Sequence, residues 1–204
     1  MLHLFGDGPR STLVLAAIHG DEPASAVVGE RLVEYLRQHP EATGGHPVAV
    51  LPVANPDGLA DATRTNANRV DVNRNFPAAN WKPTRPGPTH TGPYAASEPE
   101  TCAVLSAVAL TRPRRIISVH SGLNCNNYDG PPAARVLAER VAALNGYPVR
   151  ADVGYPTPGS LGSWAGVDRG IPVLTLEIPA DATGEQAWEQ NREAILAGIC
   201  MPEE

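Results

Sequence analysis

The fold is decided by one stretch in which an apolar strand leads directly into an amphipathic helix. It comprises residues 12–40, TLVLAAIHGDEPASAVVGERLVEYLRQHP. Residues 12–19 form a short apolar run that ends at polar side chains, which is typical of a buried strand. Pro23 stands where the first turn of a helix accepts proline, and apolar residues then recur at helical spacing until Pro40. A strand followed by a helix that packs back on it is the repeating unit of α/β proteins.

The same alternation continues along the rest of the chain. Further apolar runs predict strands at 48–54, 115–120 and 172–178, and helical patterns occupy 132–144 and 186–199. Asn55-Pro56-Asp57-Gly58 predicts a turn, Ser97 is the predicted N-cap of another helix, and residues 59–96 show little periodicity. We therefore expect an α/β fold with a largely parallel, doubly wound sheet, formed by a single domain over residues 1–204.

Composition and charge indicate which binding partners are disfavoured and in which cellular compartment we expect the protein. The chain has 204 residues and a net charge of −6, which disfavours nucleic acid or an anionic membrane as the main partner. Its three cysteines form no CxxC pair, which indicates reduced thiols and a cytoplasmic setting. The first ten residues have no secretory-signal pattern, and no apolar run is long enough to span a membrane. We expect a soluble cytoplasmic protein, and the oligomeric state stays open.

Three predicted strands end near a reactive side chain, and these side chains can form one metal site. His19 and His120 each end an apolar strand, Glu177 lies near the end of another, and ligands of open α/β sheets bind at the carboxyl ends of strands. Glu22 follows His19 by three residues, and two His with one Glu are a common catalytic zinc set. The alternative is a capped helix with a solvated Glu22 and two structural histidines.

A polar loop supplies groups that suit a carboxylate. In DVNRNF, residues 71–76, the Arg74 guanidinium beside the Asn73 amide can hold a carboxylate, and Asp71 can accept the free ring N–H of a metal-bound His. Arg64 and Arg69 lie just upstream, and the alternative is a solvated basic loop. Burying the Glu177 carboxylate in an apolar strand costs free energy unless it is paired or faces a site, where it can serve as general base. The alternative is that Glu177, near the end of its strand, turns to solvent.

Taken in order, the motifs resemble those of the zinc carboxypeptidase A family. The matching pieces are HGDE at 19–22, NPDG at 55–58, DVNRNFP at 71–77, SEPE at 97–100, SVHS at 118–121 and TLEIP at 175–179. The resemblance implies an α/β/α sandwich around a mixed, mainly parallel eight-stranded sheet, and one catalytic zinc ion per chain.

The resemblance also implies a role for each matching residue. His19, Glu22 and His120 would bind zinc, Asp71 would orient His19, and Glu177 would be the general base and acid. Four further residues would contact substrate: Arg64 as the oxyanion group, with Arg69 as its competitor, Asn73 and Arg74 as carboxylate binders, and Tyr155 as the mobile tyrosine.

Within the family, the chain resembles the bacterial murein peptide amidase subgroup. The stretch YPTPGSLGSW at 155–164 carries this likeness, together with HGDE and NYDGP at 127–131. It implies cytoplasmic hydrolysis of the γ-D-glutamyl–meso-diaminopimelate bond of murein tripeptide. Gly162 would leave room for the long leaving side chain, and Asp21, where digestive relatives have Arg, would meet its ammonium; Asp129 and Asp168 are weaker candidates.

Two alternative functions stay open at this point. One is a zinc-dependent deacylase of the succinylglutamate desuccinylase or aspartoacylase type, which shares the HxxE pair and the Asn-Arg pair. The other is a relative that binds carboxylates without catalysis. The SEPE and RNFP pieces and the competent residue at every expected catalytic position favour the peptidase.

Overall fold

The computed structural model describes residues 1–8 and 11–202, which form seven strands and five α-helices. In chain order they are β1 (His3–Phe5), β2 (Thr12–Ala16), α1 (Pro23–Gln38), β3 (Val48–Leu51), α2 (Pro56–Asp61), α3 (Pro99–Thr111), β4 (Arg115–Ser121), β5 (Cys125–Asp129), α4 (Pro132–Asn145), β6 (Val149–Arg150), β7 (Val173–Ile178) and α5 (Gly184–Ile199). Short 3₁₀ turns form at Pro40–Thr43 and Val72–Arg74, and a π-helical turn forms at Gly162–Val167.

The strands form one mixed sheet in the order β1-β3-β2-β4-β7-β5-β6. Strands β3, β2, β4 and β7 are mutually parallel, whereas β1 pairs antiparallel with β3 and β5 pairs antiparallel with β7. The predicted α/β class with a mainly parallel sheet is therefore confirmed. The described residues contain seven strands where the resemblance implied eight. The segments 62–98 and 151–172 form loops and short helical turns.

Alternate residues of the central strands face opposite sides of the sheet, as the two-residue period of a strand requires. On one face, residues such as Val14, Ile117 and Leu174 pack under α1, α4 and α5. On the other face, residues such as Leu15 and Ile116 pack under α3 and the segments around Phe76 and Trp164. Ser118 and His120 follow Ile116 at steps of two, so the second face also carries the polar side chains of the site.

Several predicted boundaries shift, each for a local reason. The strand predicted at 12–19 ends at Ala16, because Ala17 adopts a left-handed backbone conformation with φ of +50°. The predicted turn at 55–58 is instead the start of helix α2, whose N-cap Asn55 accepts a hydrogen bond from the Gly58 N–H at 2.9 Å. The helix predicted to start at Ser97 has Glu98 as its N-cap.

Three short strands, β1, β5 and β6, were missed by the sequence analysis. They have two to five residues, and β5 reads CNNYD, without an apolar pattern. Within the described residues, no helix is both long enough and apolar enough to cross a membrane.

Candidate metal centre and active site

The turn after β2 places His19 and Glu22 at the sheet edge. A Cβ on Gly20 would overlap the backbone of Gly58, so only glycine lets this turn pack so closely against helix α2. Glu22 is the N-cap of α1, yet its side chain makes no capping hydrogen bond. Its carboxylate points instead towards the rings of His19 and His120, so the side chain contributes to the site and not to the helix cap.

His19, Glu22 and His120 converge on one point. Their ligand atoms lie within 4.8 Å of one another, and all three residues are buried. The Nδ1 atom of His19 is 2.7 Å from Glu22 Oε1, and the Nδ1 atom of His120 is 3.1 Å from Glu22 Oε2. Strand β4 ends at Ser121, which brings His120 to the carboxyl edge beside the turn that carries the other two.

The close contacts within this cluster shift the pKa values of His19 and Glu22 in opposite directions. Burial by itself would lower the pKa of His19, but the charges of Glu22 and Asp71 outweigh it and raise that pKa to about 9. Burial would raise the pKa of Glu22, but His120 and His19 hold it far below its usual range. A buried carboxylate flanked by two imidazoles is a site at which a divalent cation can replace the protons between them.

The donor set fits zinc. Two imidazole nitrogens and one carboxylate are the protein ligands of many catalytic zinc sites, which leave a fourth position open. Asp71 supplies the support such a site needs, because its Oδ1 atom lies 3.3 Å from the Nε2 atom of His19. A carboxylate at this distance favours a proton on Nε2, which would leave Nδ1 free to bind a metal.

Arg64 lies beside this cluster, and Arg69 does not. The Nε atom of Arg64 donates to Asp71 Oδ2 at 3.0 Å, and its Nη1 atom is 4.0 Å from Glu22 Oε1. Arg64 also lines the cleft above the cluster, whereas Arg69 is exposed, in a left-handed turn with φ of +61°. Of the two arginines that the sequence left open, geometry brings Arg64 to the metal ligands.

Arg74 lies in the cleft as a buried cation without an acidic partner. It is 5% exposed, and its Nη1 atom donates to the backbone oxygen of Asn73 at 2.7 Å. No described carboxylate lies within ion-pair distance of its guanidinium, and burial lowers its pKa. The Asn73 side chain already makes one structural hydrogen bond, because its Oδ1 atom accepts the Leu161 N–H at 2.9 Å. Arg74 therefore has free donors for an incoming anion.

Glu177 lies next to the metal ligands in the sheet. It pairs in register with His120 of β4 on one side and with Cys125 of β5 on the other. Its side chain lines the cleft and is not turned to bulk solvent, since the residue is 7% exposed. Burial raises the pKa of its carboxyl, and the nearby Glu22 raises it further. A carboxyl with a raised pKa, placed beside the metal ligands, is suited to accept a proton and return it.

The remaining predicted substrate contacts divide into two groups. Tyr155 and Gly162 line the cleft, and the tyrosine is 52% exposed at its mouth. Asp21, the residue predicted to meet the leaving-group ammonium, is exposed and does not line the cleft. Asp168 is also outside, where its Oδ2 atom accepts the Ala79 N–H at 2.7 Å. Asp129, named only as a weaker candidate, does line the cleft.

Sequence reasoning missed several polar residues of the cleft wall, among them Ser118 and Thr175. These two residues pair with each other in the sheet, and each lies two residues before a site residue of its strand, His120 or Glu177. The signal was present, because a polar side chain two residues before a site residue in an apolar strand faces the same side.

Comparison with known proteins places the chain among zinc peptidases. The family model described as zinc carboxypeptidase matches residues 6–133. A murein peptide amidase A of Vibrio campbellii is 37% identical over 197 residues, covering 91% of this chain and 75% of that protein. The murein peptide amidase A of Escherichia coli K12 is 37% identical over 192 residues, covering 86% of this chain and 74% of that protein.

Solved structures share the fold. A crystal structure of a murein-tripeptide amidase from Escherichia coli O157 superposes with a TM-score of 0.77 at 30% identity, covering 98% of this chain and 87% of that chain. A carboxypeptidase A from Helicoverpa armigera superposes with a TM-score of 0.80 at 19% identity, covering 97% of this chain and 63% of that chain, and this likeness concerns the fold alone.

Proposed function

This chain belongs to the zinc carboxypeptidase family, and from that premise we propose that it is a zinc-dependent amidase with one catalytic zinc ion per chain. Its substrate is a peptide whose last residue carries a free carboxylate, and it cleaves the amide bond before that residue. The specific substrate we propose is murein tripeptide, cleaved between the γ-carboxyl of D-glutamate and meso-diaminopimelate.

The observation that carries this proposal is the pairing of a metal-ligand cluster with an unpaired buried arginine in one cleft. His19, Glu22 and His120 supply the ligands, and Arg74 supplies a cation without an acidic partner. A buried guanidinium without a counter-charge is costly, and a substrate carboxylate would relieve that cost. A metal that acts on an amide and a fork that holds a carboxylate are the two requirements of a carboxypeptidase.

The chain's own residues divide the work between them. Zinc held by His19, Glu22 and His120 would act as a Lewis acid and activate water near neutral pH. Glu177 would take a proton from the attacking water and deliver it to the leaving nitrogen, which its raised pKa favours. Arg64 would stabilise the negative charge that develops on the scissile carbonyl oxygen.

Substrate positioning would fall to Arg74 and its neighbours. The guanidinium of Arg74 would hold the terminal carboxylate by paired hydrogen bonds, with Asn73 beside it and Tyr155 covering the cleft mouth. The murein substrate is supported by the two relatives at 37% identity, both named murein peptide amidase A. The three free cysteines, one of them exposed, support a reducing cytoplasmic setting.

A substrate panel tests the proposal. Zinc-loaded protein is given L-Ala-γ-D-Glu-meso-diaminopimelate, the same tripeptide ending in Lys, a peptide ending in Phe, and N-succinylglutamate as a deacylase substrate. We expect fastest hydrolysis of the diaminopimelate peptide. Equal rates on the three peptides, or a preference for Phe, would reject the murein assignment, and turnover of N-succinylglutamate alone would favour the deacylase.

A further inference from the structure

We propose that Asn66 is a positioning residue, which holds Arg64 in place beside the metal ligands. It does so through hydrogen bonds to Glu98 and Glu100, two acids of the SEPE motif at 97–100 that have no part in the proposed catalytic steps. The inference rests on the proposed function, because it takes Arg64 as the group that stabilises charge on the scissile carbonyl oxygen.

Asn66 is buried, and its side-chain amide is fully used. The Nδ2 atom donates to Glu98 Oε2 and to Glu100 Oε2, each at 2.8 Å. The Oδ1 atom accepts the N–H groups of Asn68 at 3.1 Å and Val70 at 3.0 Å. An amide offers two N–H donors and an oxygen with two lone pairs, so no other side chain of this size makes all four bonds.

The two acids are held by a rigid element, helix α3. Glu98 is the N-cap of this helix and Glu100 lies in its first turn, while Val104 and Val108 pack on the sheet. Burial would raise the pKa of Glu98, but hydrogen bonds from neighbouring side chains outweigh it and lower that pKa. Glu98 is therefore kept as an ionised acceptor, and Asn66 is attached through it to the core.

The turn that begins at Asn66 connects directly to the active site. The Asn66 N–H donates to the Val70 oxygen at 3.0 Å, which closes the turn. Arg64 lies two residues before this turn and Asp71 directly after it, and Arg64 Nε donates to Asp71 Oδ2 at 3.0 Å. Asp71 Oδ1 lies 3.3 Å from His19 Nε2. A shift of the turn would therefore displace the Arg64 guanidinium from the metal ligands.

Arg64 needs such support because of where it lies. It is a long side chain in a loop, outside any helix or strand, and loops are less rigid than the elements they connect. A group that stabilises a transition state must be held accurately, since a displacement of about 1 Å can lower the rate by about 10²-fold. Buried hydrogen bonds from the loop to a packed helix supply that accuracy.

The test reverses the hydrogen bond between Asn66 and Glu98. Asn66→Asp keeps Oδ1 for the turn but replaces the Nδ2 donor by an oxygen that faces two carboxylates, and adding Glu98→Gln returns a donor to this contact. Ile195→Val, in the core on the opposite face of the sheet, is the control for a loss of stability alone. Each variant is made in wild type and in Arg64→Lys, and circular dichroism and melting temperature establish that it is folded.

We measure kcat and KM of the zinc-loaded proteins on L-Ala-γ-D-Glu-meso-diaminopimelate. Asn66→Asp should lower kcat by about 10- to 100-fold and change KM little, because Arg64 acts in the transition state. The same substitution should cost little more in Arg64→Lys, since two residues that act through one contact are not additive. Adding Glu98→Gln should restore most of kcat, and Ile195→Val should melt lower but keep its kcat.

Three results would overturn the inference. The first is a normal kcat in folded Asn66→Asp, and the second is an equal fold-loss in wild type and in Arg64→Lys. The third is a kcat that Glu98→Gln fails to raise when it is added to Asn66→Asp.

A measurement without substrate separates this inference from the proposed function. If wild type hydrolyses no peptide, the amidase proposal fails, and NMR of zinc-loaded protein decides the role of Asn66 through the exchange of the Arg64 Nε–H with water. Faster exchange in Asn66→Asp than in wild type supports the inference, and equal rates refute it. The Nε–H of Arg140, which donates to the Ala197 oxygen at 2.8 Å, is the internal control.

Discussion

Replacing Arg74 by Lys tests whether the cleft recognises a free carboxylate. The substitution keeps a positive charge but loses the planar fork, since lysine presents a single ammonium on a flexible stem. In the structure, one Nη1 donor of Arg74 is already bonded to the Asn73 oxygen at 2.7 Å. The remaining donors can hold a carboxylate by two parallel hydrogen bonds, of which the variant would keep one.

The magnitude follows from the lost bond. One hydrogen bond to a charged group contributes about 1.5–3 kcal/mol. Its loss lowers kcat/KM by roughly 10- to 150-fold, at 1.4 kcal/mol for each factor of ten. Burial of Arg74 places the effect in the upper part of this range, because water cannot replace the bond inside the cleft.

The assay measures kcat/KM on a peptide with a free terminal carboxylate and on the same peptide with an amidated C-terminus. The amide should be a poor substrate for wild type, and Arg74→Lys should change its hydrolysis little. Arg69→Lys is the control, because Arg69 is a nearby arginine that is exposed and outside the cleft. An equal loss on both substrates would refute carboxylate recognition and indicate that Arg74 acts only on the fold.

Three further predictions follow from the same geometry. Glu177→Gln should lower kcat by about 10²–10⁴-fold, because Gln keeps the shape but cannot take a proton; unchanged zinc content and melting temperature are the control, and a near-normal kcat would leave Glu177 without a catalytic role. His120→Ala should lower the zinc content measured by elemental analysis and the melting-temperature increase caused by added zinc, because bound metal stabilises the folded state; full zinc occupancy in this variant would refute the ligand set. Gly162→Ala should destabilise the protein by about 1–3 kcal/mol, because the new methyl overlaps Asp129. Calorimetry should show a melting temperature lower by about 2–4 °C per kcal/mol. Gly87→Ala is the control: no atom lies closer than 4.0 Å to its new Cβ, so this variant should melt as wild type does.

Local patterns predicted much of the architecture. The apolar runs and helical spacings located α1, α4, α5 and the central strands, since these periodicities arise from the nearest few residues. The motif order predicted the zinc carboxypeptidase family, which the comparisons confirm. The HxxE spacing and the strand-end histidine also named three residues that the fold brings together.

Local patterns were less informative about exact helix boundaries and about which side chains line the cleft. Asp21 was favoured because it stands where digestive relatives have Arg, between two predicted metal ligands, yet it is exposed and does not line the cleft. Ser97 was the predicted N-cap of helix α3 because serine is a favoured residue there, but the N-cap is Glu98. The Ser97 hydroxyl donates a hydrogen bond to the Glu98 carboxylate. Strand β5 has no apolar pattern, because it forms part of the site wall.

By itself, the amino-acid sequence determined the alternation of strands and helices, the family and the chemical types available to the site, because each is written in local spacing and side-chain chemistry. Only the tertiary structure decided which of the candidate acids lines the cleft and which arginine lies beside the metal ligands. The antiparallel pairing of β5 with β7 carries Asp129 into the cleft. Arg69 lies in a loop with a left-handed backbone conformation, and it is exposed to solvent. Both positions depend on contacts between segments far apart in the chain, and β5 carries no apolar alternation that would have specified its register in advance.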